Sequence, residues 1–328
     1  MSTRGEEAVW HVILMVAFNV AWFSAFQVRN AEAQSYPAKP IRIIAPGVGG
    51  AGDFAARLIA QGLSAQFAQQ VMVDNRGGIT AAETASKSAP DGYTLLLHGS
   101  TIWLTPLLQD NTPYDPQRDL APVSWTNQSP NLLVVHPSLP VHSVKELIAL
   151  AKAQPGVLNY SSGSVGGSSF LAPELFKSLT RVNLVRIGYK SDRQEITDLL
   201  SGEVHLTFGA LAALTPFVKT GRLRALAVTS AKRSPLFPEL STIDAAGVPG
   251  YEAISILGVW VPTGTPAAIV QTLNGRIVRV LNQPEIRERF LNTGVEIVGS
   301  SPEEFAAKIR GEIVKWRKIF EAAGIKAQ

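Results

Sequence analysis

Ile41-Arg42-Ile43-Ile44-Ala45-Pro46-Gly47-Val48-Gly49-Gly50-Ala51-Gly52-Asp53-Phe54-Ala55-Ala56-Arg57 is the stretch on which the fold turns. It opens with a short β-branched run, passes through glycines, and continues with apolar residues at helical spacing. Phe54, Leu58, Ile59 and Leu63 share one helical face, so the stretch reads as strand, tight loop, helix. Glycines at this junction let backbone N–H groups approach an anion, and the helix N-terminus adds partial positive charge. Gly47, Gly49 and Gly52 match G-x-G-x-x-G, and Asp74 closes the next strand 22 residues later. That is the setting of a dinucleotide fingerprint. A smaller anion such as a carboxylate fits the same physics, and so does a purely structural turn. Asp53 follows the third glycine, where a fixed carboxylate would repel a pyrophosphate. It is expected instead as the N-cap of a helix over 54–66.

The pattern repeats along the chain. Residues 71–74, 94–98, 132–136, 158–161, 204–208, 225–229 and 259–261 read as further buried strands. Helical faces lie between or beyond them: Val144, Leu147, Ile148 and Ala151; Leu171, Leu175 and Leu179; Ile269, Leu273, Ile277 and Val280; Phe305, Ile309, Trp316 and Phe320. Ser143 with Glu146 and Ser301 with Glu304 form capping boxes, and Thr265 is expected as an N-cap with Pro266 at the first helical position. Strand–helix alternation predicts α/β layers with mostly parallel sheets.

Two more loops of small residues follow strands. Ser161-Ser162-Gly163-Ser164-Val165-Gly166-Gly167-Ser168-Ser169 joins a strand to a helix, and its hydroxyls and bare amides suit oxyanion capture; a surface linker is the alternative. His98-Gly99-Ser100-Thr101 is the third. Ligands of open α/β sheets bind at the C-terminal strand edge, so three such loops point to one cleft.

Composition narrows the function. Among 328 residues, 46 % are hydrophobic and 17 % charged, enough for a large core and about two domains of ordinary size. Thirty Lys and Arg against 26 Asp and Glu give only +4, scattered, so nucleic acid is excluded as a partner. Cysteine is absent, which removes disulfides, thiol catalysis and Cys-ligated zinc. The histidines show no H-x-x-x-H spacing, and Ser161 lacks the G-x-S-x-G elbow, so neither a metal site nor a serine hydrolase is expected. No cofactor is called for. Val9 to Phe26 is apolar apart from His11, Asn19 and Ser24, and Ala31-Glu32-Ala33 follows. Residues 1–33 therefore read as a secretory signal peptide, with an uncleaved anchor as the alternative, and the chain is expected in the periplasm.

An ordered set of short motifs then carries a resemblance. Tyr36-Pro37 with Pro40-Ile41-Arg42 is followed by Gly49–Asp53 with Ala56-Arg57, Asp74-Asn75-Arg76-Gly77, and Ala89-Pro90-Asp91-Gly92-Tyr93-Thr94. Pro113-Tyr114-Asp115-Pro116, Asp119-Leu120-Ala121-Pro122, His136-Pro137-Ser138-Leu139-Pro140 and Ser143-Val144-Lys145-Glu146-Leu147 come next. Gly221 to Ala227, Gly264-Thr265-Pro266 and Pro302-Glu303-Glu304-Phe305 close the set. From about residue 36 onward the chain resembles the periplasmic solute receptors of tripartite tricarboxylate transporters, the Bug family.

The resemblance implies a two-domain clam-shell binding protein of the type II periplasmic class, with crossover strands near 123–136 and 250–262. Domain 1 would use 36–135 and 251–328, and domain 2 would use 136–250. The ligand would be a small organic carboxylate, held by amides and hydroxyls of both domains and passed to membrane permease subunits by a monomeric, non-enzymatic receptor. Gly49, Gly50, Gly52, Asp53, His98, Ser100, Thr101, Ser162, Gly163, Ser164, Gly166, Ser168, Tyr189, Lys190 and Gly209 are the expected ligand-binding residues. The chain departs from the family pattern at Gly47, Phe170, Ser191 and Gly209. With Phe170, Phe208 and Trp103 near the loops in sequence, and Lys190 the one cation placed there, the ligand is expected to be a mono- or dicarboxylate with an apolar or aromatic body rather than citrate. The alternative is a Rossmann-type NAD(P) oxidoreductase using Gly47, Gly49, Gly52 and Asp74; a scaffold without a small ligand is a third.

Overall fold

The computed structural model describes residues 36–189 and 192–325. The chain divides into two compact units, 1–40 and 41–328. The described part of the first, 36–40, contains no helix or strand. The segment expected to be a signal peptide lies outside the described residues, as does Lys190.

In the second unit the opening stretch folds as β1 (Ile41–Ala45), a glycine loop and α1 (Ala51–Phe67). Then come β2 (Val71–Asn75), α2 (Gly78–Ser86), β3 (Thr94–Gly99) and the short helices α3 (Thr101–Leu104) and α4 (Pro116–Asp119). A sixteen-residue strand, β4 (Leu120–Val135), leads to α5 (Val144–Ala153), β5 (Asn159–Ser162), α6 (Ser168–Thr180), β6 (Val185–Gly188) and α7 (Asp192–Ser201). Next are β7 (Leu206–Ala210), α8 (Leu211–Lys219), β8 (Arg224–Val228) and β9 (Ile254–Pro262). The chain ends with α9 (Ala267–Leu281), α10 (Pro284–Leu291), β10 (Glu296–Ile297) and α11 (Pro302–Ala322).

The strand order is β2-β1-β3-β9-β4-β7-β5-β6, with β8 and β10 also paired to β4. The expected parallel pairing holds within β1–β2–β3 and within β5–β6–β7. The sheet as a whole is mixed, because β4 and β9 run antiparallel to their neighbours. β4 changes partner midway. Leu120 to Pro130 pairs with β9, whereas Asn131 to Val135 pairs with β7 and, from Leu132, with β8. Asn131 is thus the residue at which one half of the sheet hands over to the other. Its successors alternate between two cores: Leu132 and Val134 enter a cluster with Leu199, Leu211, Leu214 and Phe237, while Leu133 and Val135 enter the larger cluster. Both faces of the strand are buried, which is why it reads as a continuous apolar run.

Two local expectations shift. The helix expected over 54–66 starts three residues earlier and its N-cap is Gly50, not Asp53. Thr265 is not a cap either: Pro266 occupies that position, and the Thr265 hydroxyl donates back to the carbonyl of Pro262 at 2.7 Å. The Ser301–Glu304 capping box forms in full. At Ser143 the hydroxyl caps the helix, but Glu146 reaches the N–H of His142, one residue further back.

Candidate functional site

The glycine loop after β1 is held by its own carboxylate. Asp53 is 5 % exposed and accepts from the N–H of Gly49 at 3.0 Å, from Nδ2 of Asn75 at 2.9 Å and from Nε of Arg57 at 2.9 Å. Burial works against its charge, but the hydrogen bonds from Arg57, Gly49 and Asn75 prevail and hold the carboxyl below its ordinary pKa. Asn75 also donates to the carbonyl of Pro46 at 2.6 Å, which closes the loop onto β2. The Gly49 amide, expected to face a ligand, is therefore used inside the protein. Gly52 is a glycine for packing reasons, since an added Cβ would stand 2.6 Å from Cγ of Pro46. Among the described residues no hydrogen bond is given by the Gly50 amide at the head of α1, beside Gly47, around which a Cβ would meet nothing within 4 Å.

The other two loops do meet. The buried Ser100 hydroxyl donates to the carbonyl of Gly166 at 2.9 Å. Gly166 has φ +79°, and its Cα faces Thr101, Thr105 and Leu108 closely enough that an added Cβ would sit 3.6–3.7 Å from them. At the far end of the same loop, the Ser168 hydroxyl donates to Oδ1 of Asn131 at 3.4 Å. The turn after β3, the loop before α6 and the handover point of β4 thus form one connected cluster. Among the described residues no hydrogen bond or ion pair joins it to the 47–53 loop, although β1 and β3 are adjacent parallel strands that end on the same edge.

Among the described residues, three buried side-chain donors on the elements that meet here lack a partner: Nε2 of His98, Nε1 of Trp103, which lies in the aromatic core, and Nδ2 of Asn131. His98 is 6 % exposed. The N–H of Gly99 donates to its Nδ1 at 2.9 Å, so the neutral ring carries its proton on Nε2, and Nε2 has no partner. Burial drives the ring toward the neutral form, with a pKa pushed down to about 4. Asn131 is 2 % exposed; its oxygen accepts from Ser168, and its Nδ2 has no partner. The sequence reading included His98 and missed Asn131. The signal in the sequence was only an asparagine opening an apolar strand run.

Most of the remaining expected residues have internal roles. The N–H of Gly163 donates to the Ser169 hydroxyl at 3.1 Å, and the Ser162 hydroxyl accepts from Nε of Arg186 at 2.7 Å. Ser164 is exposed, and Thr101 opens α3. The Tyr189 hydroxyl donates to Asp198 at 2.8 Å, and burial with that bond pushes its pKa up to about 12. Gly209 is buried under Leu214, whose Cδ1 would be 2.8 Å from an added Cβ. Phe208 packs on Phe176 at 5.5 Å, and Trp103 packs against Trp260 and Phe305, so these two aromatics belong to the core. Trp103 also lines a cavity of about 280 Å³ with Trp260, Ile309 and Arg310.

Arg186 is the second residue that sequence reasoning missed. It replaces Lys190 as the cation that can be located at these loops. Asp74, the residue a dinucleotide ribose would need, is instead engaged by Arg76 at 2.9 Å and Arg42 at 3.7 Å.

The family model for the tripartite tricarboxylate transporter family receptor matches residues 55–325. The chain belongs to this receptor family. It is similar to Protein BugT of Bordetella pertussis, with 35 % identity covering 90 % of this chain and 92 % of BugT. A UPF0065 protein of Bordetella bronchiseptica is also 35 % identical, covering 92 % of this chain and 91 % of that protein. Among solved structures it is similar to R. palustris Rpa4515, solved with adipate. That match has a TM-score of 0.83 and 38 % identity, over 89 % of this chain and all of that one. The periplasmic binding protein BugD matches with a TM-score of 0.81 and 29 % identity, over 89 % and 100 %. The fold is that of a periplasmic binding protein, and the chain is a solute receptor of the tripartite tricarboxylate transporter class. The family and these neighbours are receptors, not enzymes, and none of them favours the oxidoreductase alternative.

Proposed function

We propose that the chain captures a small organic carboxylate between two lobes and delivers it, as a monomer, to the membrane permease of a tripartite transporter. The observation that carries this reading is Nδ2–H of Asn131, a buried donor without a partner among the described residues, at the point where the loop before α6 meets β4; His98, two residues before Ser100 on β3, offers a second such donor in Nε2–H. Leaving a buried donor unpaired costs about 1–3 kcal/mol. A carboxylate accepts from neutral donors of this kind without requiring a titratable partner. The adipate in the structure of Rpa4515 supports the ligand class. The lobes are 36–135 with 251–328, and 136–250; β4 and β9 form the hinge between them. Export through the segment 1–33 and cleavage after Ala33 would place the receptor in the periplasm.

The test is calorimetry and thermal melting of ligand-free protein with citrate, succinate, glutamate, adipate, benzoate and terephthalate. At a hundredfold excess over Kd, a bound carboxylate stabilises the fold by about 2.7 kcal/mol. Asn131→Ala should weaken that binding at least about tenfold while the fold is kept. A panel in which no carboxylate binds, or stabilisation by NADH alone, would overturn the reading.

A further inference from the structure

Arg186 lies on β6 with its guanidinium immobilised from three sides. Nε donates to the Ser162 hydroxyl at 2.7 Å, Nη2 donates to the carbonyl of Gly163 at 2.9 Å, and the group stacks over the ring of Phe170 at 5.1 Å. The residue is half-buried. These contacts consume two of the five N–H donors of the fork. One N–H on each terminal nitrogen remains, and such a pair has the geometry that receives a carboxylate in a bidentate fashion.

No carboxylate among the described residues is within ion-pair distance of this charge. The two buried glutamates of this half of the fold are committed elsewhere. Glu174 on α6 is bound by Lys177 at 2.9 Å and by the Tyr160 hydroxyl, and Glu195 on α7 accepts from Ser161 and Thr207. The buried part of the Arg186 charge favours an anionic partner. Here it is pre-oriented, its side-chain entropy already lost to Ser162, Gly163 and Phe170, so little further ordering opposes an incoming carboxylate. Phe170 supplies the ring on which the guanidinium rests.

We propose that Arg186 anchors a second carboxylate of the bound solute and makes the receptor selective for dicarboxylates over monocarboxylates. The inference rests on the carboxylate-receptor reading and deepens it. The first carboxylate is taken by neutral donors at the Ser168 end of the 163–168 loop, Asn131 among them, and the second by the Arg186 fork at the opposite end. The apolar body of the solute lies between them.

Calorimetry with adipate and monomethyl adipate on ligand-free wild type tests the charge preference without altering the protein. The two probes share length and shape and differ by one charge. Adipate should bind at least about tenfold tighter. Arg186→Gln should lower adipate affinity to that of the monoester and leave monoester affinity within about threefold. Arg186→Lys, which keeps the charge and loses the fork, should fall between them. Equal binding of the two probes by wild type, or an equal loss of both in Arg186→Gln, would overturn the proposal, the latter by making Arg186 a clamp of the loop alone. Wild type that binds monocarboxylates but no dicarboxylate would overturn it while the receptor reading stands. Wild type that binds no carboxylate would overturn both.

Discussion

The Ser100 hydroxyl reaches across 66 residues of sequence to the carbonyl of Gly166, and the bond is buried at 2.9 Å. It fastens the turn after β3 to the loop before α6, which carry the residues of the candidate site. Ser100→Ala leaves a buried carbonyl without a donor, so the fold should lose about 1–2 kcal/mol, read by urea unfolding. Gly166→Ala should cost a similar amount for a different reason. The space would admit a Cβ, but φ +79° is a conformation L side chains avoid, at about 1–2 kcal/mol. An unchanged unfolding midpoint in both variants would show that the two loops are not fastened in solution.

The glycines after β1 should separate by position. Gly52→Ala drives a Cβ to 2.6 Å from Cγ of Pro46, an overpacking worth about 1–3 kcal/mol. Gly47→Ala meets nothing within 4 Å, and its stability should stay within about 0.5 kcal/mol of wild type. Denaturation of the two variants in parallel is the check. Equal losses would mean that the loop is strained as a whole rather than packed at one point.

Asp53 should make stability depend on acid. Its folded pKa lies below the ordinary 3.8 because Arg57, Gly49 and Asn75 bond the carboxylate more strongly than burial opposes it. Its contribution is therefore complete above the unfolded pKa and is lost as pH falls through and below 3.8. Asp53→Asn should be less stable than wild type at pH 7 by about 1–2 kcal/mol. The gap should narrow as the pH is lowered below 3.8. A constant gap at all pH values would show that shape, not charge, holds the loop.

The strands and long helices were legible because their patterns are local: β-branched runs, helical spacing and Ser–Glu boxes. The junctions were less so. Asp53 resembles a cap because it follows a glycine, yet the helix starts at Ala51 since Gly50 can supply the cap backbone itself, which frees Asp53 to reach back to Gly49. The short helices 101–104 and 116–119 carry too few residues to show a period. The site divides in the same way. The loops announce themselves as small residues after strands. Asn131 and Arg186 do not, because their importance comes from pairings 37 and 24 residues away, with Ser168 and Ser162, that only the sheet order brings about. Hydroxyls that look available in sequence are largely consumed by those same pairings.

His98 provides the last prediction. Its ring is buried and neutral, with Nδ1 held by the N–H of Gly99 and a folded pKa of about 4 against an ordinary 6.5. Between those values the unfolded chain holds a proton that the folded chain refuses. Stability from this group is therefore complete above pH 6.5 and is lost as pH falls from 6.5 to about 4. His205, also shifted downward by burial and by His136, contributes in the upper part of the same window, so wild type alone does not isolate the effect. His98→Gln does, since glutamine can keep an N–H donor and has no proton to gain. The difference in unfolding free energy between wild type and His98→Gln, followed from about pH 7.5 to about pH 4, should shrink or reverse as the pH falls. Parallel curves for the two proteins would mean that His98 is solvated in solution and is not the buried neutral donor proposed for the carboxylate.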